Sequence, residues 1–256
     1  MVSSREDSDI RMTRPVARPR AIFFDAGNTL LRMNYAAIAV QLATLGVHVA
    51  EDVLQRAEWR ARVRLDAHLF AARGGSTESR STAGRYLRYV LEGLGVTDAA
   101  TTQAMAEWRH GYNPPVGLWN TAEPSATAAL ALVREAGLVA AVISNSNGSV
   151  ASILDALGFL PYLDFVLDSS VVGIEKPDPR IFRLALEQTG VAPGEAVYVG
   201  DLYSVDVLGA RAAGMGAVLL DPGVCWGERD CPAALDVAAA VRFILARAGP
   251  EVSSGR

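Results

Sequence analysis

Four polar segments, each at the end of a short apolar run, constrain the fold of this chain more than any other feature of its sequence. They begin at Asp25, Ser144, Glu175 and Gly200. Because the carboxyl ends of strands in a parallel sheet lie along one edge, groups that are far apart in the sequence converge there. We therefore expect an α/β fold in which the four segments surround one crevice.

Strand-like and helix-like segments alternate through much of the chain. The run at residues 21–24 has the length of a buried strand, and Gly27 and Asn28 after it predict a turn, because both residues tolerate unusual backbone angles. We expect helices at residues 126–135, 149–157, 179–188 and 205–213, and strands at residues 139–143, 165–167, 196–199 and 217–220. Such alternation implies a doubly wound, Rossmann-like parallel sheet with helices on both faces.

A region of different character separates the first strand from this alternation. At residues 34–112 apolar residues recur at helical spacing and no strand interrupts them, which predicts an inserted all-helical cap. Asn113-Pro114-Pro115 predicts a stiff linker, because proline fixes its own backbone and disfavours helix before it. We expect a core domain of residues 20–33 and 113–248, a cap of residues 34–112 and a disordered tail of residues 1–19.

Composition excludes several classes of protein. Half of the 256 residues are hydrophobic, which allows a substantial core, and the net charge of −4 argues against a nucleic-acid partner. We expect no membrane span, since no window of about 18 uninterrupted apolar residues occurs. Cys225 and Cys231 lack the spacing of a zinc site or disulfide framework, so we expect reduced thiols in a cytoplasmic protein. The oligomeric state stays open.

The first three segments could form a phosphate site. A carboxylate such as Asp25 can attack phosphorus and so split one difficult displacement into two easier ones. The Ser144 hydroxyl with the backbone amides that follow it, and the ammonium of Lys176, could hold the phosphate charge. Taken singly, each has a plainer explanation: a turn aspartate, a helix-capping serine and a surface lysine.

The fourth segment could hold a metal ion. Asp201 and Asp206 follow the apolar run at residues 197–199, and Mg²⁺ prefers one or two carboxylates together with substrate phosphate and water. Alternatively, Asp201 is a loop residue and Asp206 is an acid in the first turn of the next helix, where the helix dipole favours it. The order of all four segments favours the site.

This order resembles the four motifs of the haloacid dehalogenase superfamily of hydrolases, in which a helical cap follows the first motif. The similarity extends over about residues 21–221, and segments 164–167, 176–182 and 200–215 are similar to one branch of that superfamily. It implies Mg²⁺ as cofactor, a small phosphorylated substrate and an aspartyl-phosphate at Asp25. By the resemblance, the metal ligands would be Asp25, the Gly27 carbonyl, Asp201 and Asp206. Thr29 would be a catalytic residue with a positioning hydroxyl. Ser144, Asn145 and Lys176 would bind phosphate, and Lys176 would also stabilise the negative charge during catalysis.

One departure from the superfamily concerns Gly27. Phosphatases of the superfamily usually carry an aspartate at this position, which protonates the leaving oxygen and later activates water. General acid-base catalysis of this kind typically raises the rate by about 10² to 10⁴. Three explanations stay open: a substrate with a good leaving group, an acid from the cap, or a weak enzyme that mainly binds a phosphorylated ligand. The candidates for a cap acid are His48, His68, His110, Glu58, Glu78 and Tyr112.

A second function in the superfamily also fits the missing aspartate. Its 2-haloacid dehalogenases lack that residue, use no metal and attack carbon. Arg32, just after the first segment, could grip a carboxylate substrate. Two acids at the metal position, Asp201 and Asp206, would repel such a substrate, so we rank this alternative below a phosphatase.

Overall fold

The computed structural model describes residues 18–72, 76–112 and 117–247. The strands are β1 Ala21–Phe24, β2 Leu31–Met33, β3 Trp119–Ala122, β4 Val139–Ser144, β5 Phe165–Asp168, β6 Ala196–Gly200, β7 Gly216–Leu220 and β8 Ala233–Ala234. The α-helices are α1 Tyr35–Thr44, α2 Glu51–Ala71, α3 Arg80–Gly93, α4 Ala99–Tyr112, α5 Ala126–Glu135, α6 Val150–Ala156, α7 Ser169–Val172, α8 Pro179–Thr189, α9 Leu208–Ala212 and α10 Val237–Ala246.

Six of these strands form one parallel sheet in the order β5-β4-β1-β6-β7-β8, which confirms the predicted fold class. β1 lies inside the sheet and all four of its residues are buried, as expected for an unbroken apolar run covered on both faces. The chain passes first to β4 and β5 on one side of β1 and then to β6, β7 and β8 on the other. This reversal of strand order opens a crevice at the carboxyl end of β1.

Helices cover both faces of the sheet because successive strand residues point to opposite sides. Ile22 and Phe24 pack with α5 and α10 on one face, whereas Phe23 packs with α8 and α9 on the other. Asp25, the next residue, continues the sheet with a backbone bond of 2.9 Å from its amide to the Val199 carbonyl. The core therefore fixes the position of Asp25 at the sheet edge.

The region between β2 and β3 is helical, as predicted. Helices α1 to α4, called the helical segment below, share an apolar core that includes Leu54, Leu87 and Leu91. The antiparallel pair β2 and β3 connects this segment to the sheet, with Leu31 opposite Ala122. The division into core and cap domains stays a prediction, and the predicted linker at 113–115 and the tail up to residue 17 lie outside the described residues.

The structure adds elements that the pattern did not reveal. β2, β3 and β8 are two to four residues long, too short for a recognisable alternation, and α10 was also missed. The helix expected at 205–213 begins as a π-helical turn, Tyr203–Val207, before α9. Cys225 and Cys231 are free thiols, as expected. No helix within the described part of the chain is both long and apolar enough to cross a membrane.

Gly209→Ala should lower the free energy of unfolding by about 1–3 kcal/mol, because the added methyl group overpacks the contact between α9 and α8. An ideal Cβ at this position would lie 2.7 Å from Phe182 Cε2 and 3.1 Å from Pro177 Cα. Urea unfolding measures the change. Gly111→Ala, at an open position of α4, is the matched control and should be neutral or slightly stabilising. Equal effects would contradict this packing.

Candidate active site

The Lys176 ammonium group contacts the segment directly after β1, strand β6 and the turn after β6. Its Nζ donates hydrogen bonds to Asp25 Oδ1 at 2.6 Å, to Asp206 Oδ1 at 2.7 Å and to the Tyr198 hydroxyl at 2.8 Å. The Tyr198 hydroxyl in turn donates to the Ile143 carbonyl at 2.7 Å. All three protons of the ammonium are therefore used, although Lys176 is only 3% exposed.

The backbone of Lys176 is held as firmly as its side chain. Asn145 Oδ1 accepts a bond of 2.7 Å from the Lys176 amide, and Asn145 Nδ2 donates to the Lys176 carbonyl at 2.9 Å. This pair of bonds connects the loop after β4 to the loop before α8. Ser144 lies beside it, buried at the cavity wall. The Asn145 side chain thus positions Lys176, while the phosphate-binding role predicted for Ser144 and Asn145 stays a prediction.

Three carboxylates, those of Asp25, Asp201 and Asp206, meet at this edge, with one oxygen of each within 4.8 Å of the others. Burial raises the pKa of Asp25 to about 6, with Lys176 opposing the shift and Asp206 adding to it. Burial also raises the pKa of Asp201 well above its usual range, and the charges of Asp206 and Asp25 contribute. Burial disfavours the Lys176 cation, but the carboxylates of Asp206 and Asp25 outweigh it, so the ammonium pKa is raised.

This donor set fits a hard divalent cation. Oxygen atoms from buried carboxylates are the ligands that Mg²⁺ prefers, and three acids against one ammonium leave two formal negative charges. Both carboxylate oxygens of Asp206 already have partners, because its Oδ1 accepts from Lys176 and its Oδ2 accepts from the amides of Asp201 and Leu202 at 3.0 and 2.9 Å. Asp25 and Asp201 are therefore the candidates for direct ligation, and Asp206 for support or ligation through water.

The turn after β1 places Asn28 and Trp119 next to Gly27. The turn residue with the unusual backbone is Asn28, at φ 54°, rather than Gly27. Asn28 Nδ2 donates to Asp201 Oδ2 at 3.1 Å, and its Oδ1 accepts from the Trp119 indole at 2.9 Å. An ideal Cβ on Gly27 would lie 3.4 Å from Trp119 Cδ1, an ordinary contact. The indole from β3 thus borders the position where an acid is missing.

A second buried ion-pair network reaches the site from α2. Arg62 donates to both oxygens of Glu58, at 2.9 and 2.6 Å, and its Nη1 lies 3.5 Å from Asp201 Oδ2. Glu58 also accepts from the hydroxyls of Tyr35, at 3.0 Å, and Tyr86. Arg62 and Glu58 are almost fully buried. The helical segment therefore contacts a proposed metal ligand through a charged group.

A cavity of about 420 Å³ lies between the acids and the helical segment. On the core side it is lined by Asp25, Ser144, Lys176, Asp201 and Asp206, so the structure brings these predicted residues together. Its polar lining from the helical segment and the loop before α3 includes Thr77, Glu78, Arg80, Thr82, Tyr86, Arg109 and His110. A small molecule would fit a cavity of this size.

Some predicted residues do not reach the cavity. Thr29 is fully buried away from its wall, and its Oγ1 has no hydrogen-bond partner among the described residues. Arg32 lies in β2 opposite Thr121 and does not line the cavity, so the dehalogenase alternative lacks the guanidinium that could have bound a carboxylate substrate there. Of the candidate cap acids, Glu78 and His110 line the cavity, whereas Glu58, His48, His68 and Tyr112 do not.

Three contributors are not among the predicted site residues: Tyr198, Arg62 as a partner of Asp201, and Trp119. Tyr198 gave one usable signal, since a tyrosine in a buried apolar strand needs a partner for its hydroxyl. Arg62 and Trp119 gave none, because their partners are 139 and 91 residues away. Both contacts depend on how the helical segment and β3 pack onto the sheet.

Comparison with protein families and curated proteins gives consistent matches. Residues 19–214 match the family model described as haloacid dehalogenase-like hydrolase. The chain is 33% identical over 206 residues to haloacid dehalogenase-like hydrolase domain-containing protein 3 of Mus musculus, covering 78% of this chain and 81% of the relative. It is 46% identical over 102 residues to phosphoserine phosphatase of Thermus thermophilus, covering 40% and 41% of the two chains.

Solved structures show the same fold. A HAD-hydrolase of Bacillus subtilis bound to magnesium, YfnB, superposes with a TM-score of 0.62 at 14% identity over 89% of this chain and 99% of its own. A 2-haloacid dehalogenase from Pseudomonas syringae superposes with a TM-score of 0.51 at 27% identity over 90% and 99%. Fold similarity therefore extends both to a HAD-hydrolase solved with magnesium and to a 2-haloacid dehalogenase, and it does not decide the chemistry of this chain.

Arg62→Leu should lower the free energy of unfolding by about 3–5 kcal/mol, because Glu58 would keep a buried charge without its partner. The double variant Glu58→Gln/Arg62→Leu should recover most of that loss, since the buried charge of Glu58, the main partner of Arg62, is removed as well. Urea unfolding provides both values. Arg56→Leu, which breaks the exposed pair with Asp52 on the same helix, is the control and should change stability little. A large loss in the double variant would contradict the pairing.

Proposed function

Because the chain belongs to the haloacid dehalogenase superfamily of hydrolases, in the branch that includes haloacid dehalogenase-like hydrolase domain-containing protein 3, we propose a specific chemistry for its site. The protein is a Mg²⁺-dependent phosphatase that acts on a small phosphorylated metabolite through an aspartyl-phosphate at Asp25. The observation that carries this proposal is the buried contact of Lys176 with Asp25 and Asp206 beside a third acid, Asp201. The local identity to a phosphoserine phosphatase supports it.

Different side chains act as nucleophile, as charge stabiliser and as phosphate ligand in the first step of this proposed reaction. Asp25 attacks phosphorus with one carboxylate oxygen while the bond between phosphorus and the leaving oxygen breaks. Lys176 holds Asp25 in place and offsets the repulsion between its charge and the phosphate, and Ser144 donates to a phosphate oxygen. Mg²⁺, when bound to Asp25, Asp201 and the Gly27 carbonyl, would neutralise further negative charge. Water then hydrolyses the aspartyl-phosphate and restores Asp25.

The dehalogenase alternative keeps one supporting observation. The Arg62 guanidinium stands next to Asp201, and a cationic side chain near the acids is what a metal-independent site would need. However, Arg62 is already paired with Glu58, and neither Arg62 nor Arg32 lines the cavity where a haloacid would bind. A phosphatase is therefore the better match. Halide release from 2-chloropropionate in the presence of a chelator would reverse this ranking.

Asp25→Asn should abolish Mg²⁺-dependent hydrolysis of p-nitrophenyl phosphate, because an amide oxygen is a poor nucleophile and the aspartyl-phosphate cannot form. Release of p-nitrophenol with and without Mg²⁺ measures the effect. Asp178→Asn, at the partly exposed N-cap of α8, should retain full activity. Thermal melting checks that the Asp25 variant is folded. Turnover that survives the loss of the Asp25 carboxylate would remove the proposed nucleophile.

Gly27→Asp should raise the turnover of alkyl phosphates more than that of aryl or acyl phosphates. The new carboxyl group could protonate the leaving oxygen, and alkoxides need this proton far more than phenolates do. The site accepts a side chain, since its Cβ would meet Trp119 only at ordinary contact distance. The comparison of kcat/KM for β-glycerol phosphate and p-nitrophenyl phosphate tests it. Equal gains on both substrates would contradict this explanation of Gly27.

A further inference from the structure

The proposed reaction needs a proton donor that the core does not supply. Departure of an alkoxide from phosphorus requires a proton on the leaving oxygen, and Gly27 has no side chain to give one. The three acids of the core are occupied with Lys176, Arg62 and one another. The donor must therefore come from the opposite wall of the cavity, where Glu78, His110 and Tyr86 carry titratable groups. The Tyr86 hydroxyl already donates its proton to Glu58, which leaves Glu78 and His110 as the candidates.

Two hydrogen bonds hold the loop before α3 against the core next to Glu78. Ser76 Oγ donates to Glu175 Oε1 at 3.0 Å, and Asn145 Nδ2 donates to Thr77 Oγ1 at 2.9 Å. Glu175 adjoins Lys176 in the chain, and Asn145 adjoins Ser144. The loop is thus fastened to the two segments that carry the predicted phosphate ligands, and Glu78 follows directly at the cavity wall.

The environment of Glu78 suits a proton donor. Although its side chain keeps exposed surface at the cavity, the surrounding protein disfavours the charged form and raises the pKa of the carboxyl group to about 7. Glu175 and Asp25 add to this rise through their negative charge, and Asp168 does so more weakly. Arg109 of α4 opposes it. A carboxyl group with this pKa is both protonated and ready to donate near neutral pH.

We propose that Glu78 is the general acid of the reaction, supplied by the loop before α3 in place of a side chain at residue 27. This inference rests on the proposed phosphatase function. As the bond between phosphorus and the alkoxide oxygen breaks, the Glu78 carboxyl group transfers its proton to that oxygen, and the alcohol leaves. The resulting Glu78 carboxylate then takes a proton from the water that attacks phosphorus, which releases phosphate, restores Asp25 and reprotonates Glu78.

Glu78→Gln should separate substrates by their leaving group. The kcat/KM for β-glycerol phosphate should fall by about 10² or more, whereas that for p-nitrophenyl phosphate should fall by less than about threefold, because a phenolate leaves without a proton. In the unmodified protein, alkyl phosphatase activity should decline as the pH rises through about 7, where Glu78 loses its proton. That decline should be absent for the aryl substrate.

Two controls isolate the proton from a structural effect. Glu107→Gln, at an exposed residue of α4 that bonds Gln103, should leave both substrates unaffected. In a Gly27→Asp background, Glu78→Gln should cost little, because the new aspartate supplies the proton. Losses of equal size on alkyl and aryl phosphates would overturn the assignment, and so would a selective loss in His110→Gln instead of Glu78→Gln.

Different results would contradict the phosphatase function and the role of Glu78. If p-nitrophenyl phosphate is not hydrolysed in a manner that depends on Asp25, the phosphatase function and the role of Glu78 fall together. If that activity is present and depends on Asp25, but Glu78→Gln leaves the ratio of alkyl to aryl rates unchanged, only the role of Glu78 is lost.

Discussion

The contact between the Lys176 ammonium group and the carboxylates of Asp25 and Asp206 is the interaction on which the rest of this site depends. Three acids placed together at the end of a parallel sheet repel one another, and burial adds a desolvation cost to each charge. Lys176 offsets both effects by donating to Asp25 and Asp206 at once, with Tyr198 as its third partner. A buried ion pair is stable only when such extra hydrogen bonds satisfy it.

That contact is itself the product of the sheet topology. Reversal of strand order at β1 opens the crevice, and Asn145 then fixes the Lys176 backbone from the loop after β4. The π-helical turn at Tyr203–Val207 brings Asp206 back over the end of β6, so that its second oxygen accepts from two backbone amides. The irregular backbone of this turn therefore holds Asp206 at the site.

The helical segment contributes polarity as well as shape. It carries the Arg62–Glu58 pair to Asp201 and lines the cavity with Arg109 and Tyr86, and the loop before α3 adds Glu78. Motion of this segment relative to the sheet would change the charge around the acids together with access to them. The missing acid at Gly27 is therefore considered together with the opposite wall of the cavity, because a proton donor absent from the core side can be supplied from that wall.

The sequence by itself determined the alternation of strands and helices, the parallel sheet, the helical block and the convergence of Asp25, Ser144, Lys176, Asp201 and Asp206. Those features follow from local periodicity and from the rule that parallel strands share a carboxyl edge. Only the tertiary structure decided the pairing of β2 with β3, the place of Trp119 beside Gly27, the reach of Arg62 to Asp201, and which cap candidates face the cavity. These contacts join residues far apart in the chain through side-chain packing, and packing between distant segments leaves no periodic signal in the sequence.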